Sequence, residues 1–232
     1  MHQPFFDSSD RPQQLLALAI SRVSLVASIC ETARVRFDIV IFDGVDEMDA
    51  LGPLEVLRSA ATMGADIDAW LVTRDRQVLV EGAHRLRFEP DDVFRPGRAD
   101  VVIVTGGGWV ANARNGTRAE VASGHLLTLL GEAQAATPVM AGVCTGTMLL
   151  AHAGVVGERR ATTHHSALPD LADLGATVVQ DRVVDDGSLV TSGGVTSGID
   201  LALWLVEREF SREVADNVAQ RMEYPRWRPA PD

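Results

Sequence analysis

The chain has 232 residues, 46% of them hydrophobic, with a formal net charge of −11 at pH 7, which suits one sizeable α/β core rather than a disordered or fibrous protein. There is no lysine, so Schiff-base chemistry and a P-loop are excluded, and the acidic balance argues against a nucleic-acid backbone as partner. Two cysteines, Cys30 and Cys144, make neither a disulfide framework nor a zinc spacing, and the economical setting is a reducing cytoplasm.

The first apolar stretch, "QQLLALAISRVSLVASIC" (13–30), raises a targeting question. Arg22 interrupts it before it reaches the roughly 18 uncharged residues of a membrane span. The segment ahead of it lacks the positive charge of a signal peptide, and Ile29 stands where a lipoprotein cysteine needs a small residue. Residues 1–34 are therefore expected to be an extension, helical on the domain surface or disordered, and dispensable for chemistry. Residues 35–232 are expected to form a single domain with no membrane partner.

Within that domain, "VRFDIVIFDG" (35–44) has the form of a buried strand ending in a glycine turn, and 49–64 has helical spacing with a glycine stop. A second strand is predicted over 66–74, then two short strands about a glycine turn in 77–90. "ADVVIVTGGG" (99–108) reads as a third buried strand, 118–136 as one helix, 137–143 as a fourth strand and 145–155 as a helix. Two strands are expected in 177–194, a strong helix over 196–210, and a last helix over 211–224 behind the Ser211 cap. Strands alternating with helices predict a doubly wound, mostly parallel sheet with helices on both faces.

Cys144 falls where the fourth strand ends and a helix opens. Ligands of such sheets sit beyond the carboxyl ends of the strands, and a helix N-terminus lowers a thiol pKa. Gly142 and Gly146 flank the cysteine as in a nucleophile elbow, where side chains would collide with the sheet. A buried, inert cysteine is the plainer alternative, and the glycines weigh against it. Backbone N–H groups of Gly107 or Gly108, with that of Thr145, are candidates for an oxyanion hole, although a glycine run at a strand end is often only a turn. Asp46, Glu47 and Asp49 cluster just ahead of the first helix. Most such acids are caps, but one beside a thiol is an acid/base candidate. His164 and His165 are either near the thiol or structural residues at a helix start.

Taken together, "VIFDGVDEMDALGPLEV", "VIVTGGG", "GVCTGTMLLAHAGVVGERRATTHH" and "GSLVTSGGVTSGIDLALWLVE" resemble the ThiJ/PfpI superfamily of class I glutamine amidotransferase-like domains, from about residue 35 to about residue 225. The nearest pattern within it is that of the isonitrile hydratases. Met48, Thr105 and His165 depart from that pattern, which has leucine, proline and tryptophan there, and the last bears on substrate choice. The resemblance implies a flavodoxin-like fold, Cys144 as nucleophile, Asp49 as its acid/base partner and Thr145 in the pocket. It also implies a small-molecule substrate and a homodimer with Leu51, Leu54 and Leu57 near its interface, and neither metal nor organic cofactor.

The protease-like branch carries histidine directly after the cysteine, where this chain has Thr145, and the amidotransferase His-Pro-Glu is missing. Glyoxalase- or chaperone-type activity is the rival among enzymes. Its members pair the cysteine with glutamate, whereas aspartate is expected here. The other rival is a non-enzymatic sensor domain of AraC-type regulators. Those carry a helix-turn-helix pair, and the sequence ends at Asp232 soon after its last predicted helix.

Overall fold

The structure, a computed structural model, describes residues 34–110 and 113–228, within the unit Arg34–Asp232. The expected extension lies, but for Arg34, outside the described residues. In chain order the first half comprises β1 (Val35–Val40), α1 (Glu47–Thr62), β2 (Ile67–Thr73), β3 (Val80–Glu81), β4 (Arg87–Phe88), β5 (Asp92–Val93), β6 (Val101–Val104), α2 (Thr117–Ser123) and α3 (His125–Gln134). The second half comprises β7 (Val139–Val143), α4 (Gly146–His152), β8 (Arg160–Ala161), α5 (Leu168–Asp173), β9 (Thr177–Val178), β10 (Val183–Asp185), β11 (Leu189–Ser192), α6 (Ser197–Glu209) and α7 (Arg212–Arg221).

Seven strands form the central sheet in the order β10-β11-β7-β6-β1-β2-β5, all parallel except β10 against β11. Every residue of β6 and β7 is buried, as expected of parallel strands covered on both faces. The predicted fold is the observed one. From β1 the chain builds β2 and β5 on one side, then crosses back to lay β6 and β7 on the other. The switch falls between β1 and β6, so their carboxyl ends open a crevice that helices and loops can line.

Three local expectations need correcting. The helix predicted over 118–136 is two helices, because Gly124 adopts φ +73°, a left-handed turn that ends α2 and starts α3. The edge strand β5 escaped notice, since it is only two residues in an acidic stretch and pairs with Val72 and Thr73 alone. The segment 177–194 yields three strands, and β9 joins β8 in a separate ribbon instead of extending the sheet. Among the described residues no helix is long and apolar enough to cross a membrane.

Candidate active site

Cys144 stands immediately after β7 with φ +54°, a left-handed backbone that costs a non-glycine residue ~1–3 kcal/mol and persists only where surroundings impose it. They do so on both sides. Its amide donates to the carbonyls of Ser192 (3.2 Å) and Gly193 (3.0 Å), and its carbonyl accepts from Thr163 Oγ1 at 2.7 Å. The elbow also needs Gly146. A β-carbon there would lie 2.0 Å from the Val104 carbonyl oxygen, so any other residue would force β6 and α4 apart. Gly146 thus has the steric role expected of it, whereas a β-carbon at Gly142 would meet Thr147 of α4, with its Oγ1 at 2.6 Å, instead of the sheet.

The three acids of the 46–49 segment have three different fates. Asp46 caps α1, its Oδ1 accepting the Met48 amide at 3.2 Å. Glu47 turns toward the β3–β4 turn, accepting the His84 amide (2.7 Å), the Leu86 amide (3.3 Å) and a 2.7 Å contact from His84 Nδ1. Burial pushes the Glu47 carboxyl up, but these hydrogen bonds outweigh it and hold it below its ordinary value. Atoms of Asp46, Glu47 and His84 lie within 4.8 Å of one another, yet the Glu47 oxygens are already engaged in that clasp. Only Asp49 turns inward. It is fully buried, accepts the Gly106 amide at 2.9 Å, and has the Cys144 thiol beside it, which favours the ionised carboxylate. Its Oδ1 has no further partner among the described residues.

Burial, and then the charge of Asp46, push the Asp49 carboxyl up to about 8 against the stabilising Gly106 amide and the thiol. Burial and the Asp49 charge push the Cys144 thiol up to about 12, against the amides of Val195 and Thr145, which favour the thiolate. The sequence expectation of a thiol acidified by its helix is therefore reversed. α4 is only seven residues long, and desolvation of a side chain 5% exposed outweighs it. At neutral pH the resting pair is a neutral acid facing a neutral thiol.

The structure brings Asp49, Cys144 and Thr145 together and redistributes the remaining candidates. The Gly107 amide donates to Thr145 Oγ1 at 2.9 Å, and that hydroxyl lies 3.2 Å from Thr117 Oγ1. Gly107 is thus a partner of Thr145, and the amides that favour the Cys144 thiolate are those of Thr145 and Val195. Val195 was missed in the sequence. The available signal was its place after "SGG" at the end of β11 and just before α6, the same strand-to-helix turn that marks Cys144. Like Cys144 it has a left-handed backbone, φ +45°.

Above the sulfur lies an open cleft of about 200 Å³, lined by Gly107, Gly108, Trp109, Val110, Thr145, His164 and Val195 among others. His164 lines it and His165 does not; the two rings stack with centroids 4.2 Å apart. His164 Nδ1 accepts the Ser166 amide (3.3 Å) and lies 2.7 Å from Ser166 Oγ, which leaves the ring proton of the neutral form on Nε2. Burial and the neighbouring His165 lower its pKa, so it is a neutral donor. Trp109 is fixed by its Nε1–H to Asp170 (2.7 Å) and by the Arg118 guanidinium 4.4 Å from its ring, giving the cleft a firm apolar wall.

The sequence model of the DJ-1/PfpI family matches residues 35–208. The chain is 34% identical over 193 residues to the isonitrile hydratase of Pseudomonas putida, covering 83% of this chain and 78% of that protein. It is 26% identical over 199 residues to the HTH-type transcriptional regulator CdhR of Pseudomonas aeruginosa, covering 84% of this chain but 57% of the regulator. The crystal structure of a ThiJ/PfpI family protein from Pseudomonas syringae superposes with a TM-score of 0.74 at 24% identity, over 88% of this chain and 81% of that one.

Proposed function

The chain belongs to the DJ-1/PfpI family, and from that premise we propose that it is a cysteine-dependent hydratase converting isonitriles to N-substituted formamides. The observation that carries the reading is the buried Asp49 carboxyl beside the Cys144 thiol, held neutral up to about pH 8. An isonitrile carbon needs a nucleophile and a proton at the same atom, and a neutral acid adjoining a thiol supplies both. The similarity to the Pseudomonas putida isonitrile hydratase supports it further.

In the first step the sulfur bonds to the terminal carbon while Asp49 delivers a proton to that carbon and takes up the thiol proton. The product is a thioimidate, R–N=CH–S–Cys144, and Asp49 ends neutral. The Val195 and Thr145 amides stabilise negative charge on the sulfur as the S–H bond breaks. In the second step water adds to the thioimidate carbon, one of its protons passing to nitrogen. The C–S bond then breaks, the hydroxyl proton returns to sulfur, and R–NH–CHO leaves. The open apolar cleft between Trp109, Val110 and His164 is where R sits, and the neutral His164 ring lines it.

The test is direct. Incubation with an alkyl or aryl isocyanide should produce the formamide, with methylglyoxal as the parallel substrate, and Cys144→Ala should abolish the product. Turnover of methylglyoxal without formamide formation would transfer the site to glyoxalase-type chemistry.

A further inference from the structure

The loop after β11 carries the Val195 amide, and a residue outside the cleft grips it on both sides. The Arg182 carbonyl accepts the Gly193 amide at 3.1 Å, and its Nη2 donates to Thr196 Oγ1 at 3.0 Å. Gly193 and Thr196 bracket Val195, whose left-handed backbone persists only while its neighbours fix it.

The guanidinium is itself immobilised. Its Nε pairs with Asp200, whose side chain is fully buried in the first turn of α6, and Nη2 also donates to the Tyr224 hydroxyl at 2.9 Å. That hydroxyl donates to Asp200 at 2.8 Å, and the other Asp200 oxygen accepts the Trp227 amide at 3.1 Å. A single grip on the loop is thereby tied to α6 and to the segment after α7.

We propose that Arg182 is a positioning residue for the nucleophile: by clamping Gly193 and Thr196 it holds the Val195 amide on the Cys144 sulfur and sets how readily the thiolate forms. Arg182 acts through the backbone and not by its charge, which Asp200 neutralises. The carboxyl charges that bear on the thiol are those of Asp49 and Asp46, the cleft also presents His164, and the two amides supply the opposing stabilisation. The inference deepens the reading of Cys144 as nucleophile but needs no isonitrile. Alkylation by iodoacetamide reads it, so a failure of the hydratase reading leaves it standing.

The experiment follows the pH dependence of Cys144 alkylation in the full chain, resolved from Cys30 by peptide mass, alongside the thermal unfolding midpoint. Arg182→Ala keeps the backbone carbonyl on Gly193, loses the grip on Thr196 and leaves Asp200 buried without its cation, so Thr196→Val is the deciding variant. It removes one grip and leaves the Arg182–Asp200 pair intact. In Thr196→Val the alkylation inflection is expected to move to higher pH, with the rate at pH 8 down roughly tenfold, the equivalent of about one net hydrogen bond. The unfolding midpoint should stay within a few degrees, and Thr196→Ser, which keeps the acceptor, should restore the profile. An unchanged profile in folded Thr196→Val would overturn the proposal.

Discussion

Thr145 Oγ1 accepts the Gly107 amide at 2.9 Å, so the residue after Cys144 also ties the loop that follows β6 to the elbow. Thr145→Val keeps the shape but leaves that buried amide without an acceptor, at a cost of ~1–3 kcal/mol. The expected result is a lower unfolding midpoint that Thr145→Ser largely restores. A valine variant as stable as the parent would show that the Gly107 amide finds another acceptor.

Asp49→Asn should cost turnover about 10²–10⁴-fold, the usual worth of a positioned acid/base. Substrate binding should change far less. The same change should lower the pH at which Cys144 becomes reactive, because the carboxylate charge that opposes its ionisation is gone. Near-normal formamide production by the asparagine variant would return Asp49 to a structural role.

The raised Asp49 pKa makes both activity and stability depend on pH with a defined sign. The unfolded chain releases this proton near 3.8, while the native state keeps it to about 8. Between those values the native state binds more protons, so stability is full below about pH 4 and falls as pH rises through 8. The displacement is on the order of 5 kcal/mol for a group so deeply buried. Denaturant titrations at pH 5 and pH 8.5 should show a loss in the parent that is much smaller in Asp49→Asn, and kcat/KM should decline above about pH 8. Equal slopes in the two proteins would refute the assignment.

A homodimer is expected from the surface around Glu47. Glu47 holds the Leu86 amide, and the apolar side chains of Leu86 (46%), Leu79 (51%) and Met48 (38%) are exposed. Of the leucines expected near this interface, Leu57 is fully buried in the chain's own core, Leu54 nearly so, and Leu51 is partly buried against it. That leaves the exposed apolar residues about the first turn of α1 to meet a second copy. Light scattering should report twice the 24.9 kDa chain mass, and Leu86→Glu should shift it toward one chain.

How much of this was written in the sequence depends on how local each signal is. The longer strands and the elbow were legible because apolar runs and paired glycines are short-range patterns, while two-residue strands such as β5 and β9 carry no such run. The fates of Asp46, Glu47 and Asp49 were not, because a helix turns about 100° per residue and sends successive side chains to different surroundings. Only the β3–β4 turn on one side and the Gly106 amide on the other decide which acid meets the thiol. The thiol's raised pKa was equally hidden, since desolvation is a property of everything packed around the sulfur. Val195 required knowing that β11 lies directly beside β7, a pairing between residues almost fifty positions apart.

That pairing has a consequence for the protein as it is being made. The Asp49 and Gly106 partners precede Cys144 in the chain, but the carbonyls of Ser192 and Gly193 and the Val195 amide follow it. Synthesis from the N-terminus therefore delivers the cysteine to a growing chain long before the residues that fold over it. During that interval nothing imposes the left-handed backbone at position 144, and the sulfur behaves as an ordinary solvated thiol, open to oxidants and electrophiles. Emergence of β11 and the turn beyond it ends the exposure, so damage at this cysteine should be greatest in nascent chains stalled short of residue 195.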